Sequence, residues 1–347
     1  MKAITSKSGH LWMIFLLTMS YLLSGCHHST PVLAWYHWKS VYNPSQNEKA
    51  VIDKSNVQKM YLHFFDIVWD KEYLLARPEA ILHLRDSIPA SLNIIPMIYI
   101  TNEAILKTAA EKIPALADSI SQLTGKLARR QNIQYAEIQI DGDWTAKSAE
   151  NYFTLLQNIK ENTGHTLSAT LRLHQIKYPK ESGIPPIDKG VLMFYNMGDL
   201  SPDLQKPNSI YNKAAAAGYL DAIKNYPLKM SVALPAFSWV VHISDGHITA
   251  LHNNWNLKSF ADTLRYSITE NPLQYLAVSS FFTDGVYVKK GDTFNNEIIT
   301  FELLEQAASQ LANAMPYTPA EVIYYKIDGL DTYEFTSQKI QCILDRF

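Results

Sequence analysis

No run of lysine or arginine stands out in this chain, and 31 basic residues against 33 acidic ones leave a formal net charge of −2. Without a basic stripe, nucleic acid is not an expected partner. Cysteine is nearly missing too: Cys26 and Cys342 are the two in 347 residues. There is no Gly-x-Ser-x-Gly elbow, so a nucleophilic serine of that kind is not expected. His-x-His and His-Glu-x-x-His spacings are absent as well. Of His37, His63, His174 and His242, His174 alone converges plausibly with Asp141 and Asp143, and we expect neither a metal nor another cofactor. Internal repeats, low-complexity tracts and interdomain linkers are also lacking.

What is present begins with an address. Lys2 and Lys7 precede an apolar run over residues 11–23, and Leu23-Ser24-Gly25-Cys26 closes it. A charged start, an apolar middle and small residues at the end mark a secretory signal rather than a membrane span. The last four residues look like a bacterial lipobox. On this reading residues 1–25 are a signal peptide, Cys26 is the lipidated first residue, and residues 26–31 are a short tether. The alternative is an ordinary signal peptide followed by a buried cysteine. With Cys26 lipidated, Cys342 has no partner for an internal disulfide. The expected protein is an exported monomer on a membrane of the cell envelope, the outer membrane in a double-membraned cell.

With 47% hydrophobic residues, the remaining chain can bury a sizeable core. Strand-like segments alternate with helical patterns, which suggests repeated βα units and a parallel sheet. Strands are predicted at residues 32–38, 60–68, 93–101, 137–143, 167–174, 191–197, 229–240 and 324–328. Helices are predicted at 73–87, 102–129 and 147–162 and around 214–220, with little room for one at 175–189. Eight strands in about 300 residues fit a (β/α)8 TIM-type barrel filling residues 32–347 as a single domain. The stretch between strands 7 and 8 is too long for one crossover and is read as an insertion. It shows helical pattern at 257–269, a hairpin turn at Thr283-Asp284-Gly285-Val286, and a helix at 296–314. A doubly wound open sheet is the competing architecture.

One stretch organises the site. In Glu137-Ile138-Gln139-Ile140-Asp141-Gly142-Asp143, the isoleucines point one way and the four polar side chains the other. Residues 167–174 repeat the pattern, with Ser168, Thr170, Arg172 and His174 opposite Leu167, Ala169, Leu171 and Leu173. Neighbouring strands with enclosed polar faces need internal partners, which predicts Arg172 near Asp141 or Glu137. Asp141 and Asp143 are about 7 Å apart along the strand. Two carboxylates enclosed together favour keeping one protonated, as a general acid requires. Asp143, nearer the strand end, is the candidate, with Asp141 beside it. The alternative is a solvated strand end whose aspartates cap a turn and a helix. Trp38, Trp69, Phe237 and Trp239 fall at or just beyond strand ends, where flat rings can stack on sugars or serve as rim packing.

Three segments together resemble the family 18 glycoside hydrolases, the chitinase-like barrels. Asp141-Gly142-Asp143-Trp144-Thr145 is similar to their Asp-x-Asp-x-Glu at the end of strand 4. Met193-Phe194-Tyr195-Asn196 is similar to their Met-x-Tyr followed by an acidic or amide residue, and Leu234-Pro235-Ala236-Phe237 to their Leu-Pro before an aromatic. The mature chain also resembles a bacterial family catalogued as domain of unknown function 3142, through Phe64-Phe65-Asp66, Gln139 to Asp143 and Gly291-Asp292-Thr293. The chitinase-like resemblance implies a glycan or oligosaccharide partner. Asp141, Asp143 and Tyr195 would then be the catalytic group, with Trp38, Asp66, Arg172, His174, Asn196, Phe237 and Trp239 contacting substrate. It also carries a departure: Thr145 occupies the position of the catalytic glutamate, and threonine has no proton to give at neutral pH. Two functions follow, a glycoside hydrolase-like enzyme and a non-catalytic glycan-binding lipoprotein. The anchor is testable by itself. Cys26→Ser should release the protein into a soluble fraction or leave an uncleaved precursor, and unchanged membrane fractionation would remove the lipobox reading.

Overall fold

A computed structural model describes residues 30–253, 255, 257–283, 285–327 and 335–347. The apolar run at 11–23, Cys26, most of the tether, Asp284 and Asp328 lie outside the described residues. Eight strands close into a barrel: β1 (Val32–His37), β2 (Lys59–Asp70), β3 (Asn93–Ile100), β4 (Glu137–Gly142), β5 (Thr166–Arg172), β6 (Lys189–Met193), β7 (Met230–Pro235) and β8 (Glu321–Tyr325). Every neighbouring pair is parallel, and β8 pairs with β1 to close the ring. The (β/α)8 architecture is therefore the one the alternation predicts. Its strands carry runs such as Ile94-Ile95 and Val191-Leu192 because helices cover the outside.

Several element boundaries differ from the sequence expectation, each for a local reason. Residues 73–87 form no helix. Instead β2 runs past the barrel rim, and Leu75–Glu79 folds back on it antiparallel, pairing Trp69 with Ala76. The long helix expected at 102–129 is split into Asn102–Lys107 and Ile113–Arg130. Thr108 is extended between them, and Pro114 suits the first turn of the second helix. Strand β5 stops at Arg172, so His174 belongs to a short helix, Leu173–Lys177. The predicted seventh strand breaks at Pro235, and Trp239–Ser244 starts a second sheet.

That second sheet is the insertion between β7 and β8. Trp239–Ser244, His247–His252, Tyr266–Ile268, Gln274–Ala277 and Thr293–Glu297 form five antiparallel strands. Phe281–Thr283 and Val286–Val288 pair as the predicted hairpin. The helix expected at 257–269 is a single 3-10 turn, Leu257–Ala261, followed by a strand. The helix expected from 296 starts at Phe301, where the Thr300 side chain accepts the Leu303 N–H. The insertion has its own core of Val240, Phe260, Tyr266, Ala277, Val288 and Phe294.

The floor of the barrel is ionic. Lys59, Glu137, Lys189 and Glu321 are the first residues of β2, β4, β6 and β8, one from each alternate strand, as one layer of a (β/α)8 interior requires. Lys189 Nζ lies 2.7 Å from Glu137 and 2.9 Å from Glu321. Lys59 and the Tyr61 hydroxyl also bond Glu321. Burial alone would raise the Glu321 carboxyl, but Lys189, Lys59 and Tyr61 outweigh it and hold it below its ordinary value of 4.5. A carboxylate held low stabilises the fold above its unfolded value and loses that contribution as pH falls through the folded one. Glu321→Gln, which leaves two lysines to one carboxylate, should therefore cost about 3–5 kcal/mol at neutral pH. Urea midpoints measured from pH 7 downward should show the gap to wild type narrowing below the ordinary carboxylate value.

Candidate active site

At the other end of the barrel the strands open into a cleft of about 620 Å³. It is lined by all ten candidate residues: Asp141, Asp143 and Tyr195, with Trp38, Asp66, Arg172, His174, Asn196, Phe237 and Trp239. They come from β1, β2, β4, β5, β6 and β7 or from the residues just after them. The C-terminal strand ends are where a barrel of this kind gathers its polar side chains.

Asp141 is the buried centre, 1% exposed. Arg172 Nη2 donates to its Oδ1 at 2.8 Å, and the Thr170 hydroxyl donates to the same oxygen. Burial alone would discourage the arginine charge, but Asp141 together with Tyr195, Asp143 and Tyr325 outweighs it, and the guanidinium holds its proton more firmly than usual. Arg172 thus pairs with Asp141, while Glu137, the other partner considered, sits two layers below on Lys189. The Arg172 backbone N–H donates to Gln175 Oε1 at 2.7 Å, and Gln175 Nε2 donates to the Trp144 carbonyl at 3.1 Å. The turns after β4 and β5 are therefore tied together beneath the two charges.

Asp143 departs from the enclosed pair expected of it. Its side chain is 55% exposed at the cleft mouth, with His174 Nε2 at 3.5 Å. Gly142 separates the two aspartates because there is no room for anything larger. A Cβ there would stand 2.7 Å from the Tyr152 ring. Thr145 is not among the residues lining the cleft. Strand β4 ends at Gly142, and the Thr145 N–H donates to Ser148 Oγ at 2.9 Å in the turn before the next helix. Asp143, one residue past the end of β4, is the last carboxyl before that turn to line the cleft.

One wall is aromatic. Trp38 meets Tyr325 at 5.5 Å between centroids, Tyr325 stacks on Tyr195 at 5.3 Å, and Phe237 joins Tyr195 to Trp239. Burial, then Tyr325 and other neighbours, hold the Tyr195 phenol protonated well above its ordinary range. Asn196 sits in the left-handed region at φ 55°, which asparagine tolerates, and its N–H donates to Ile210 at 2.7 Å. Asp66 bonds His63 at 2.7 Å.

Tyr99, Tyr325, Lys326 and Asn253 also line the cleft and were missed. Strand-end position would have found Tyr99 and Tyr325; nothing in the sequence pointed to Asn253, which belongs to the insertion. Trp69 lies elsewhere, in a groove of about 330 Å³ beside Ile67 and Leu116, because the end of β2 leans away with its antiparallel partner. His37, His63 and His242 are each at most 4% exposed, and His242 pairs with Asp292 inside the insertion at 2.9 Å.

No family model matches the chain, and no curated protein matches it. Solved structures do. The spore cortex-lytic enzyme SleL of Bacillus megaterium QM B1551 superposes with TM-score 0.54 at 14% identity, over 91% of this chain and 74% of that one. Its Bacillus cereus counterpart gives 0.53 at 15%, with the same coverage. A GH18 chitinase from Cycas revoluta, solved with (GlcNAc)4, gives 0.51 at 11%, over 91% of this chain and 99% of that one. The chain has the (β/α)8 barrel fold of chitinase-like glycoside hydrolases.

Proposed function

We propose that this is an exported, lipid-anchored, glycoside hydrolase-like protein acting on a glycan in the cleft, with Asp143 as general acid. The observation that carries the reading is the placement of Asp143 at the end of β4, open to the cleft beside a charge-balanced Asp141–Arg172 pair. A general acid must reach the glycosidic oxygen and give it a proton as the bond breaks. Asp143 has that access, whereas Asp141, held by Arg172 and Thr170, is fixed as an acceptor. In the substrate-assisted route one protein acid suffices, because the sugar's own acetamido group attacks. Tyr195, in the aromatic wall with its hydroxyl on Met193 Sδ at 3.0 Å, turns that donor to a substrate oxygen when a sugar binds, and the Asn196 amide contacts the same sugar. The aromatic wall supplies rings for the apolar faces of pyranoses. The resemblance to domain of unknown function 3142 belongs with this reading, as do the signal peptide at 1–25, the tether at 26–31, the single barrel domain at 32–347 and a monomeric outer-membrane protein.

A second reading, a non-catalytic glycan-binding lipoprotein, is favoured by the exposure of Asp143, because the enclosure expected around the carboxylate pair covers Asp141 only.

Turnover separates the two. Asp143→Asn should fold normally and cut turnover of an unactivated oligosaccharide by about 10²–10⁴-fold. An aryl glycoside with a good leaving group, which needs little protonation, should be partly rescued. Wild-type turnover by this variant would move the acid elsewhere, to Asp66 first. Asp141→Asn behaves differently, because it strips Arg172 of its partner. It should lower stability by about 1–3 kcal/mol as well as activity, read as a urea midpoint. For a binding protein, Trp239→Ala should weaken oligosaccharide affinity by roughly 1–3 kcal/mol, while Asp143→Asn changes little.

A further inference from the structure

The insertion does more than border the cleft. Glu297, the last residue of the strand Thr293–Glu297, is 7% exposed and lies behind Trp239, which begins the neighbouring strand. Its Oε2 accepts the Trp239 indole N–H at 2.7 Å and the Ser209 backbone N–H at 3.1 Å. The Ser209 hydroxyl donates to the same oxygen. These three donors are neutral, so the carboxylate draws its stabilisation from directed hydrogen bonds, the stronger kind because the acceptor is charged. Ser209 is itself fixed. Its carbonyl accepts the Gly198 N–H at 3.0 Å, and a Cβ on Gly198 would fall 2.8 Å from the Ser209 Cα. The indole is thereby anchored through a buried anion to the loop that follows β6.

We infer that Glu297 is a positioning residue, which locks the Trp239 ring in the orientation needed to stack on the apolar face of a pyranose. Trp239 is half-buried and lines the cleft, with Phe237 against its ring at 5.5 Å. Phe237 contacts the ring but offers no polar anchor; the N–H is the handle that sets its rotation. A ring held before binding has less freedom to lose on binding, and so supports tighter affinity. The inference rests on the glycan reading for its ligand, while the anchoring itself does not.

Two measurements test it. The first is the indole N–H resonance of Trp239 in the full folded protein, identified by its disappearance in Trp239→Phe. In wild type it should exchange slowly with solvent; in Glu297→Gln, which keeps the shape and removes the charge, it should shift and exchange faster. An unmoved resonance overturns the anchoring, whatever the protein binds. The second is affinity for chitopentaose. Glu297→Gln should weaken it about threefold to tenfold, the cost of ordering one side chain at an interface. In a Trp239→Phe background, where the ring has no N–H, the same change should alter affinity less than about twofold. Equal losses in both backgrounds would show that Glu297 acts on general stability and overturn the positioning role. If wild type binds neither chitopentaose nor cellopentaose, the glycan reading fails, and the resonance still decides the anchoring.

Discussion

Four charges at the floor of the barrel set the register of everything above them. Lys59, Glu137, Lys189 and Glu321 alternate in sign around the ring, each from the first position of an alternate strand. A strand can satisfy this floor in one register only. Slipping β4 by one residue would turn Glu137 outward and put Ile138 beside Lys189, leaving two part-buried lysines to share Glu321. With Glu137 pinned inward, the same parity sends Gln139 and Asp141 inward above it. Gln139 accepts the Tyr36 hydroxyl at 2.7 Å in the middle of the barrel, and Asp141 meets Arg172 at the top. The cleft chemistry is thus the upper end of a polar column whose lower end is structural.

The two ends solve the same electrostatic problem differently. At the floor, two cations and two carboxylates neutralise one another, the carboxylates largely buried and the lysines about a quarter exposed. At the top, one arginine neutralises one buried aspartate, and the next carboxyl, Asp143, is given to water and His174. Asp143, the charge added beyond that pair, sits where solvent reaches it. This division leaves Asp141 fixed and Asp143 accessible. The aromatic wall runs along the β8, β6 and β7 side, through Tyr325, Tyr195 and Phe237, and meets the charges where Tyr195 reaches Arg172. The insertion completes that wall with Trp239 and backs it with Glu297.

Much of this was legible in the sequence where a two-residue period ran long enough. The alternation at 137–143 and 167–174 predicted the inward faces and set Arg172 near Asp141 or Glu137, of which the structure shows Asp141, and the order of apolar segments predicted the barrel. What was not legible depends on partners distant in sequence. Residues 73–87 carry a helix-like pattern, yet the protruding end of β2 offers an open edge, and Leu75–Glu79 pairs with it. Trp69 was placed at the cleft because it follows a strand, but the lean of that strand takes it to another groove. Lys189 was unremarkable until β6 brought it between two glutamates. In the insertion the strands are three to six residues long, too short for periodicity to separate strand from helix.

Counting along a motif and counting along a strand disagree at the end of β4. Matching Asp-x-Asp-x-Glu residue by residue assigns the acid to Thr145 and leaves the site without a proton donor. A motif of this kind, however, is useful only while the chain stays extended, since alternate residues share a face only within a strand. Here the strand ends at Gly142, and Trp144 packs outward against the following helix, stacking on Tyr152 at 4.9 Å, its indole N–H donating to the Ser182 carbonyl at 2.8 Å. That anchored ring starts the turn toward the following helix and takes Thr145 off the cleft. The inward face of the strand therefore runs Glu137, Gln139 and Asp141; Asp143, the first residue past the strand, still lines the cleft. Asp143 is the last carboxyl before the turn, and the threonine two residues later belongs to the turn itself.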